Sequence, residues 1–209
     1  IGFLKDCIAN GVKAVSLGGG EPFEYDSIFQ VIDAIYPLCY LSVTSNGLPL
    51  EYDITWQQLT KTKPDKIHLT IHNPDSDTEV MRIFNRLDCL KGIGVKPGIN
   101  LLVAADTIAA ARQTYRLALK HISPEQIILV PQRYSKTPTP KQLSEVTGGQ
   151  PFQSPACLLK CKAPMNFVSI SWDKKVNFCS FAGGKEPLPT LDYSGLCTAL
   201  SKVEFKPCI

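Results

Sequence analysis

Ala14-Val15-Ser16-Leu17-Gly18-Gly19-Gly20-Glu21-Pro22, residues 14–22, is a short apolar run that passes directly into three glycines, a carboxylate and a proline. Ala14 to Leu17 is too short and too apolar for a surface helix and reads as a buried strand. Three adjacent glycines are costly to order, and they make sense where the chain turns sharply or where main-chain groups must approach a ligand. Both readings stand at this point: a tight strand-to-helix turn, or a bare backbone edge facing a ligand. A Walker-type phosphate loop is excluded because no Lys-Ser or Lys-Thr follows. A dinucleotide fingerprint fails too, since Glu21-Pro22-Phe23 stands where its last glycine belongs.

Outward from this stretch the same unit repeats. Upstream, Ile1, Leu4 and Ile8 give helical spacing that Asn10-Gly11 ends. Downstream, Tyr25-Asp26-Ser27 caps a helix to about Tyr36, with Ile28, Val31, Ile32 and Ile35 on one face. A second strand, Tyr40 to Thr44, ends in Ser45-Asn46-Gly47. Helix Thr55 to Lys61, strand Lys66 to His72, helix Asp77 to Lys91, strand Gly98 to Val103, helix Thr107 to His121 and strand Gln126 to Val130 continue the pattern. Strands alternating with helices predict a parallel sheet that curls toward a barrel or winds on both faces. Ligands gather at the C-terminal ends of such strands. Here those ends read Gly18 to Glu21, Ser45 and Asn46, Thr70 and His72, Asn100, then Gln132 and Arg133, a polar succession expected of a binding face.

On these residues the chain resembles the radical S-adenosylmethionine enzymes. Gly19-Gly20-Glu21-Pro22 looks like that family's GGEP motif, Ser45-Asn46-Gly47 like the stretch after its third strand, and Thr70 and Asn100 occupy matching places on the next two strands. The resemblance covers about residues 1–131 and implies an α/β fold, a partial (β/α)6 barrel with five of its six strands present. It also implies that Gly18, Gly19, Gly20, Glu21, Pro22, Ser45, Asn46, Thr70 and Asn100 hold S-adenosylmethionine. An α-amino group is cationic, so Glu21 can pair with it while glycine carbonyls accept its remaining hydrogens; hydroxyls and amides suit a ribose diol. Plainer readings stay open beside these. Glu21 could be a carboxylate at a helix N-terminus, Ser45-Asn46 an Asx-type turn, His72 a turn residue, and Arg133 a solvated arginine in a Pro-rich loop. The family binds its radical-generating [4Fe–4S] cluster with CxxxCxxC, which this sequence lacks; Cys7 lies alone in a helix. The expectation is an N-terminally truncated fragment that, with the missing loop, cleaves its cofactor to a 5′-deoxyadenosyl radical for hydrogen abstraction.

Beyond residue 131 the character changes. Pro131, Pro138, Pro140 and Pro151 with Gly148-Gly149 read as a linker, 132–153, with one short helix near Lys141 to Val146. A Cys-rich extension, 154–209, follows: strand Phe167 to Ser171, turn Trp172 to Lys175, and a returning strand Val176 to Phe178 that delivers Cys179. Of the eight cysteines, Cys7, Cys39 and Cys89 read as small buried hydrophobes, whereas Cys157, Cys161, Cys179, Cys197 and Cys208 crowd the tail as candidate metal ligands. Thiolates serve iron–sulfur clusters and zinc alike. The extension resembles the SPASM or twitch auxiliary-cluster modules, which implies an auxiliary [4Fe–4S] cluster and a peptide, protein or small-molecule substrate. An electron donor such as flavodoxin or ferredoxin would be required. The competing expectation is a non-catalytic barrel holding a nucleoside or a partner, with a structural zinc in the tail. A net charge of +3 without a basic block points away from nucleic acid, no apolar run approaches a membrane span, and no leader opens the sequence, so a cytoplasmic protein is expected.

Overall fold

In a computed structural model of the chain, residues 1–155 and 166–207 are described. Five parallel strands lie side by side in chain order: β1 Ala14–Leu17, β2 Tyr40–Ser45, β3 Lys66–Ile71, β4 Lys96–Val103 and β5 Ile127–Pro131. Helix α1 Gly2–Ala9 precedes them, and α2 Ile28–Ile35, α3 Asp53–Lys61, α4 Asp77–Gly92 and α5 Ile108–Ala118 connect them. With every strand added on the same side of its predecessor, the right-handed crossovers that parallel strands adopt put the connecting helices on one face. The result is a curled half-barrel, and the doubly wound alternative is excluded by strand order.

The strands carry this asymmetry in their sequences. Ile67, Leu69 and Ile71 of β3 are fully buried, as are Leu41 and Val43 of β2, Ile99, Leu101 and Val103 of β4 and Leu129 of β5. They meet Ile32 and Ile35 from α2 and Ile83, Phe84, Leu87 and Leu90 from α4 in one core. Each such side chain contributes roughly 1.5–3 kcal/mol relative to exposure. The alternate residues, Tyr40, Ser42, Thr44, Lys66, Thr70 and Asn100, are exposed or half-buried on the concave face. A strand covered on both faces would be apolar throughout, so this alternation marks a sheet with one open face.

Three expectations need correction. Strand β1 is the edge of the sheet, with Ala14 and Ser16 exposed and only Val15 and Leu17 half-covered, so it is not a buried strand. Strand β4 starts at Lys96, ahead of the expected Gly98; Pro97 is tolerated because β5 pairs with β4 only from Ile99 onward. Cys7 is buried, but Cys39 is half-buried and Cys89 is exposed on α4.

Residues 132–153 do more than link. Helix α6 Pro140–Val146 opens with a reciprocal cap between Thr139 and Gln142 and packs on α5. The chain then returns to the edge of β5, where the Leu129 N–H donates to the Gln153 carbonyl at 2.8 Å and Ile128 bridges Gln153 in the parallel sense. Beyond it, β6 Ser169–Ile170, β7 Lys175–Asn177 and β8 Glu186–Pro187 form a small antiparallel sheet, and α7 Tyr193–Leu200 follows. This module docks on α1: Cys7, Val176, Leu196 and Ala199 share a second core, and Asp6 Oδ2 accepts from the Tyr193 N–H at 2.6 Å.

One glycine holds the module closed. Gly184 has φ +77°, and a Cβ there would lie 1.8 Å from the Glu204 carbonyl oxygen, beside the Gly183–Lys206 bridge. Replacing it with alanine is expected to release the 204–206 segment at a cost of roughly 3 kcal/mol. Hydrogen exchange reads this as lost protection at Gly183 and Lys206 with the half-barrel strands unchanged; retained protection at those two amides would contradict it.

Candidate active site

The rim of the half-barrel starts where β1 stops. Gly19 and Gly20 take φ +83° and +55°, a region that side chains rarely adopt, and a Cβ on either would meet nothing within 4 Å. Packing therefore does not demand these glycines. Conformation does, and it leaves main-chain groups facing open space. Glu21 then caps the 3-10 turn Pro22–Glu24, its Oε1 accepting from the Phe23 N–H at 3.1 Å. Its Oε2 accepts from the Asn46 N–H at 2.7 Å, so one carboxylate ties the loop after β1 to the loop after β2. The capping reading of Glu21 is thus realised. A carboxylate offers about four acceptor positions, so two remain for a ligand.

The second loop is a pair of nested turns. Ser45 is 2% exposed and belongs to the buried row; its Oγ accepts from the Gly47 N–H at 3.0 Å. Asn46 Oδ1 accepts from the Leu48 N–H at 2.8 Å, and the Asn46 carbonyl accepts from Arg82 Nη2 at 3.4 Å. The turn reading of Ser45-Asn46 is therefore realised as well. What this loop leaves toward a ligand is the Asn46 Nδ2 group, while the Ser45 hydroxyl and the Asn46 and Gly47 N–H groups are committed inside.

Thr70 and Asn100 face each other in register on the concave side. Asn100 Oδ1 lies 3.0 Å from His68 Nδ1, and because that oxygen only accepts, Nδ1 carries the proton. His68 is buried. Burial, then the Lys66 charge, pushes its pKa down to about 4 against the opposing pull of the Asn100 hydrogen bond, so the ring is neutral at physiological pH. Gly98 makes room for it: a Cβ there would lie 3.0 Å from His68 Nε2 and 3.1 Å from Lys66 Cε. Lys66, His68 and Lys96 escaped the sequence reading, although the alternation Lys66-Ile67-His68-Leu69-Thr70 places the first two on one face with Thr70.

The depressed His68 pKa sets a pH dependence whose sign is fixed. An unfolded imidazole titrates near pH 6.5, so between about 6.5 and 4 the unfolded chain binds a proton that the folded one refuses. Stability is full above that window and falls as pH drops through it, by at most about 3 kcal/mol. Lys66 opposes protonation, Asn100 faces the ring without charge, and Lys96 lies beyond Lys66 in the register. Urea midpoints of the wild type and His68→Gln, compared at pH 7 and 4.5, are expected to converge at the lower pH; parallel curves would refute the assignment.

Elsewhere on the rim, His72 is an exposed turn residue. Its N–H donates to Glu79 Oε1 at 2.7 Å, and Glu79 Oε2 accepts from Asn73 Nδ2 at 2.9 Å, so the buried Glu79 shapes the β3–α4 loop. Arg133 is half-buried over the Phe181 ring, 5.3 Å from its centroid, which replaces the solvated arginine expected. Cys179 is half-buried and Cys197 is exposed on α7, while Cys157, Cys161 and Cys208 lie outside the described residues. Among the described residues no three His, Cys, Asp or Glu side chains gather into a metal site. Shallow grooves of about 490 and 390 Å³ run along α5 and between α5 and α6, lined by Arg112 and Arg116 on the helical exterior, away from the strand ends. No helix among the described residues is long and apolar enough to cross a membrane.

No family model and no curated protein matches the sequence. Solved structures do match the fold. The chain is similar to native anSMEcpe, an anaerobic sulfatase-maturating radical S-adenosylmethionine enzyme, with bound AdoMet and Cp18Cys peptide: TM-score 0.62 at 15% identity, over 98% of this chain and 72% of that one. It is similar to hexahistidine-tagged anSMEcpe with bound AdoMet at TM-score 0.53 and 14% identity, over 85% of this chain and 60% of that one. The Kp18Cys peptide complex matches at TM-score 0.51 and 14% identity, over 85% and 64%. The chain thus spans about 60–72% of the length of these structures. The fold is that of a partial radical S-adenosylmethionine barrel.

Proposed function

We propose that this chain is the S-adenosylmethionine-holding part of a radical enzyme that acts on a peptide or protein. The observation that carries the reading is the pair of successive loops, Gly18 to Pro22 and Ser45 to Gly47, bound together by Glu21 at the C-terminal rim of a half-barrel. The similarity to structures holding AdoMet supports the cofactor, and the peptide in one of them supports the substrate class. The residues fit the group: left-handed Gly19 and Gly20 face open space, Glu21 keeps free acceptor positions for an ammonium, and Asn46 and Thr70 offer an amide and a hydroxyl to a ribose, whereas Asn100, held by His68, turns its Nδ2 to the concave face. Ser45 acts by shaping the loop.

Bound beside a reduced iron–sulfur cluster, S-adenosylmethionine supplies an organic radical for hydrogen abstraction. The CxxxCxxC ligands of such a cluster are not among these 209 residues. The described residues place Cys179 and Cys197 without a third ligand, so no step is routed through an auxiliary cluster. What the chain itself does is hold and orient the cofactor at the rim while the concave face admits the substrate.

Calorimetric titration of the 209-residue chain with S-adenosylmethionine tests this reading. Saturable binding, displaced by S-adenosylhomocysteine and lost on replacing Gly20 by valine, is expected. Absence of binding to a folded chain overturns it.

A further inference from the structure

The cofactor reading uses the rim, yet the most polar part of the molecule lies below it. Lys66 and Lys96 are partners in the β3–β4 register and share the concave face with His68, Thr70 and Asn100. Four residues separate this lysine row from the Thr70–Asn100 row, about 13 Å at strand rise. The Lys66 side chain closes part of that distance, because its Cε runs up to the space over Gly98, beside His68 Nε2. Ser42 is paired with Lys66 from β2, and Thr44 with His68.

Two ammonium groups side by side repel, and a fold that only needed polar cover there would interleave a carboxylate. None is supplied. Among the described residues neither Lys66 nor Lys96 has a carboxylate within 4.0 Å, whereas Lys91, Lys136 and Lys175 each do. Residues 156–165 contain no Asp or Glu that could serve. Burial and the neighbouring Lys96 charge push the Lys66 pKa down, as expected of an uncompensated cation. Next to this pair the His68–Asn100 contact has an orienting effect. With Asn100 Oδ1 taken by the ring N–H, its Nδ2 is the end left for a ligand, and it can only donate. The face at Gly98 therefore presents two charges and a fixed amide donor, the space that a Gly98 side chain would fill being taken by the His68 ring and the Lys66 stem, which brings Lys66 toward Asn100.

We infer that the concave face over Gly98 is a binding site for an oxyanion of the substrate, a carboxylate or a phosphate, with Lys66 and Lys96 as charge partners and Asn100 Nδ2 as the directional donor. The inference rests on the rim being the cofactor site, since that places a second molecule beneath it. The anion site would anchor the substrate deep in the half-barrel and leave its reacting end at the rim. Lys66 and Lys96 are binding residues here, and His68 is a positioning residue that acts through Asn100.

The test uses the 209-residue chain and two probes, inorganic phosphate and glutarate, followed by NMR at the His68 ring and the Asn100 side-chain amide. At least one probe is expected to shift both signals saturably, and the stronger of the two identifies the group as phosphate or carboxylate. Lys66→Gln/Lys96→Gln is expected to weaken that binding at least tenfold, Lys66→Arg/Lys96→Arg to restore most of it, and Gly98→Ala to weaken it with both lysines present. S-adenosylmethionine affinity should stay within twofold in the lysine variants, which also reports on folding. Arg112→Gln/Arg116→Gln, on the exterior groove, should change nothing. No shift with either probe, or equal binding in the Gln variant, overturns the site, as does loss on changing the exterior arginines alone. If anion binding depends on the lysines but S-adenosylmethionine does not bind the wild type, the rim reading falls and the anion site stands.

Discussion

Gly47→Ala is expected to destabilise the half-barrel by roughly 2–5 kcal/mol. Gly47 sits at φ +79° in the loop after β2, where a Cβ would lie 2.9 Å from Ile83 Cδ1 and 3.8 Å from Leu69 Cδ2. The left-handed conformation costs an L-residue about 1–2 kcal/mol. Overpacking a core site adds about 1–3 kcal/mol. Ile83 is fully buried on α4 among Leu69 and Leu87, so its end has little room to yield. The same change strains the Gly47 N–H to Ser45 Oγ bond and, through the adjacent Asn46 N–H, the link to Glu21. Stability and S-adenosylmethionine binding should therefore fall together. Gly92→Ala is the control: it lies at the end of α4 with nothing within 4 Å of its Cβ, and it should be neutral or slightly stabilising. Urea midpoints for the two variants decide the matter; equal midpoints would show that Ile83 moves aside freely.

The half-barrel was legible because its signals are local and repeated. Apolar alternation in Lys66 to Ile71, the helical spacing of Ile28, Val31, Ile32 and Ile35 in α2, and glycines after β1 and β2 each fix one element without reference to the rest. The errors arose where one element depends on another. Strand β1 has the composition of a buried strand, yet it forms the edge, which depends on which strands exist to flank it. Pro97 reads as a strand boundary until the late start of β5 is known. Helix α7 went unread because Tyr193-Ser194-Gly195-Leu196 has weak helical propensity; its Asp192 cap and its contact with α1 carry it. At the site, Gly19, Gly20 and Glu21 were legible as a motif, and the inward use of the Glu21 and Ser45 oxygens was legible as a cap and a turn; the bond from Asn46 N–H to Glu21, which ties the two loops together, was not, because the partners lie 25 residues apart. His68 and Lys66 were legible in principle, since alternation alone places them on one face with Thr70; Lys96 was not, because it precedes the expected start of β4 at Gly98 and only the register sets it beside Lys66.

The Glu21 carboxylate has two candidate duties, and a pair of substitutions with a pair of ligands separates them. Glu21→Ala leaves the Phe23 and Asn46 N–H groups without their acceptors in a partly buried loop, a loss of about 1–3 kcal/mol per group left unpaired. Both loops should loosen, and S-adenosylmethionine binding should fall more than tenfold whichever duty matters. Glu21→Gln is the sharper change. Its single oxygen can still accept from the Asn46 N–H, while its amide cannot accept from Phe23 and carries no charge for a ligand ammonium. If the carboxylate pairs with the α-amino group, the lost charge-assisted bond is worth about 1.5–3 kcal/mol, or roughly tenfold or more in affinity. A desamino analogue of the cofactor cannot make that bond, so Glu21→Gln should weaken it far less than it weakens S-adenosylmethionine itself. The difference is a coupling energy between side chain and amino group, free of whatever the variant does to the loop. The bare glycine carbonyls beside Glu21 and the two acceptor positions it keeps free lead us to expect that coupling to be favourable. Equal weakening of both ligands would assign Glu21 to the loop alone and leave the amino group to the backbone of Gly18 to Gly20.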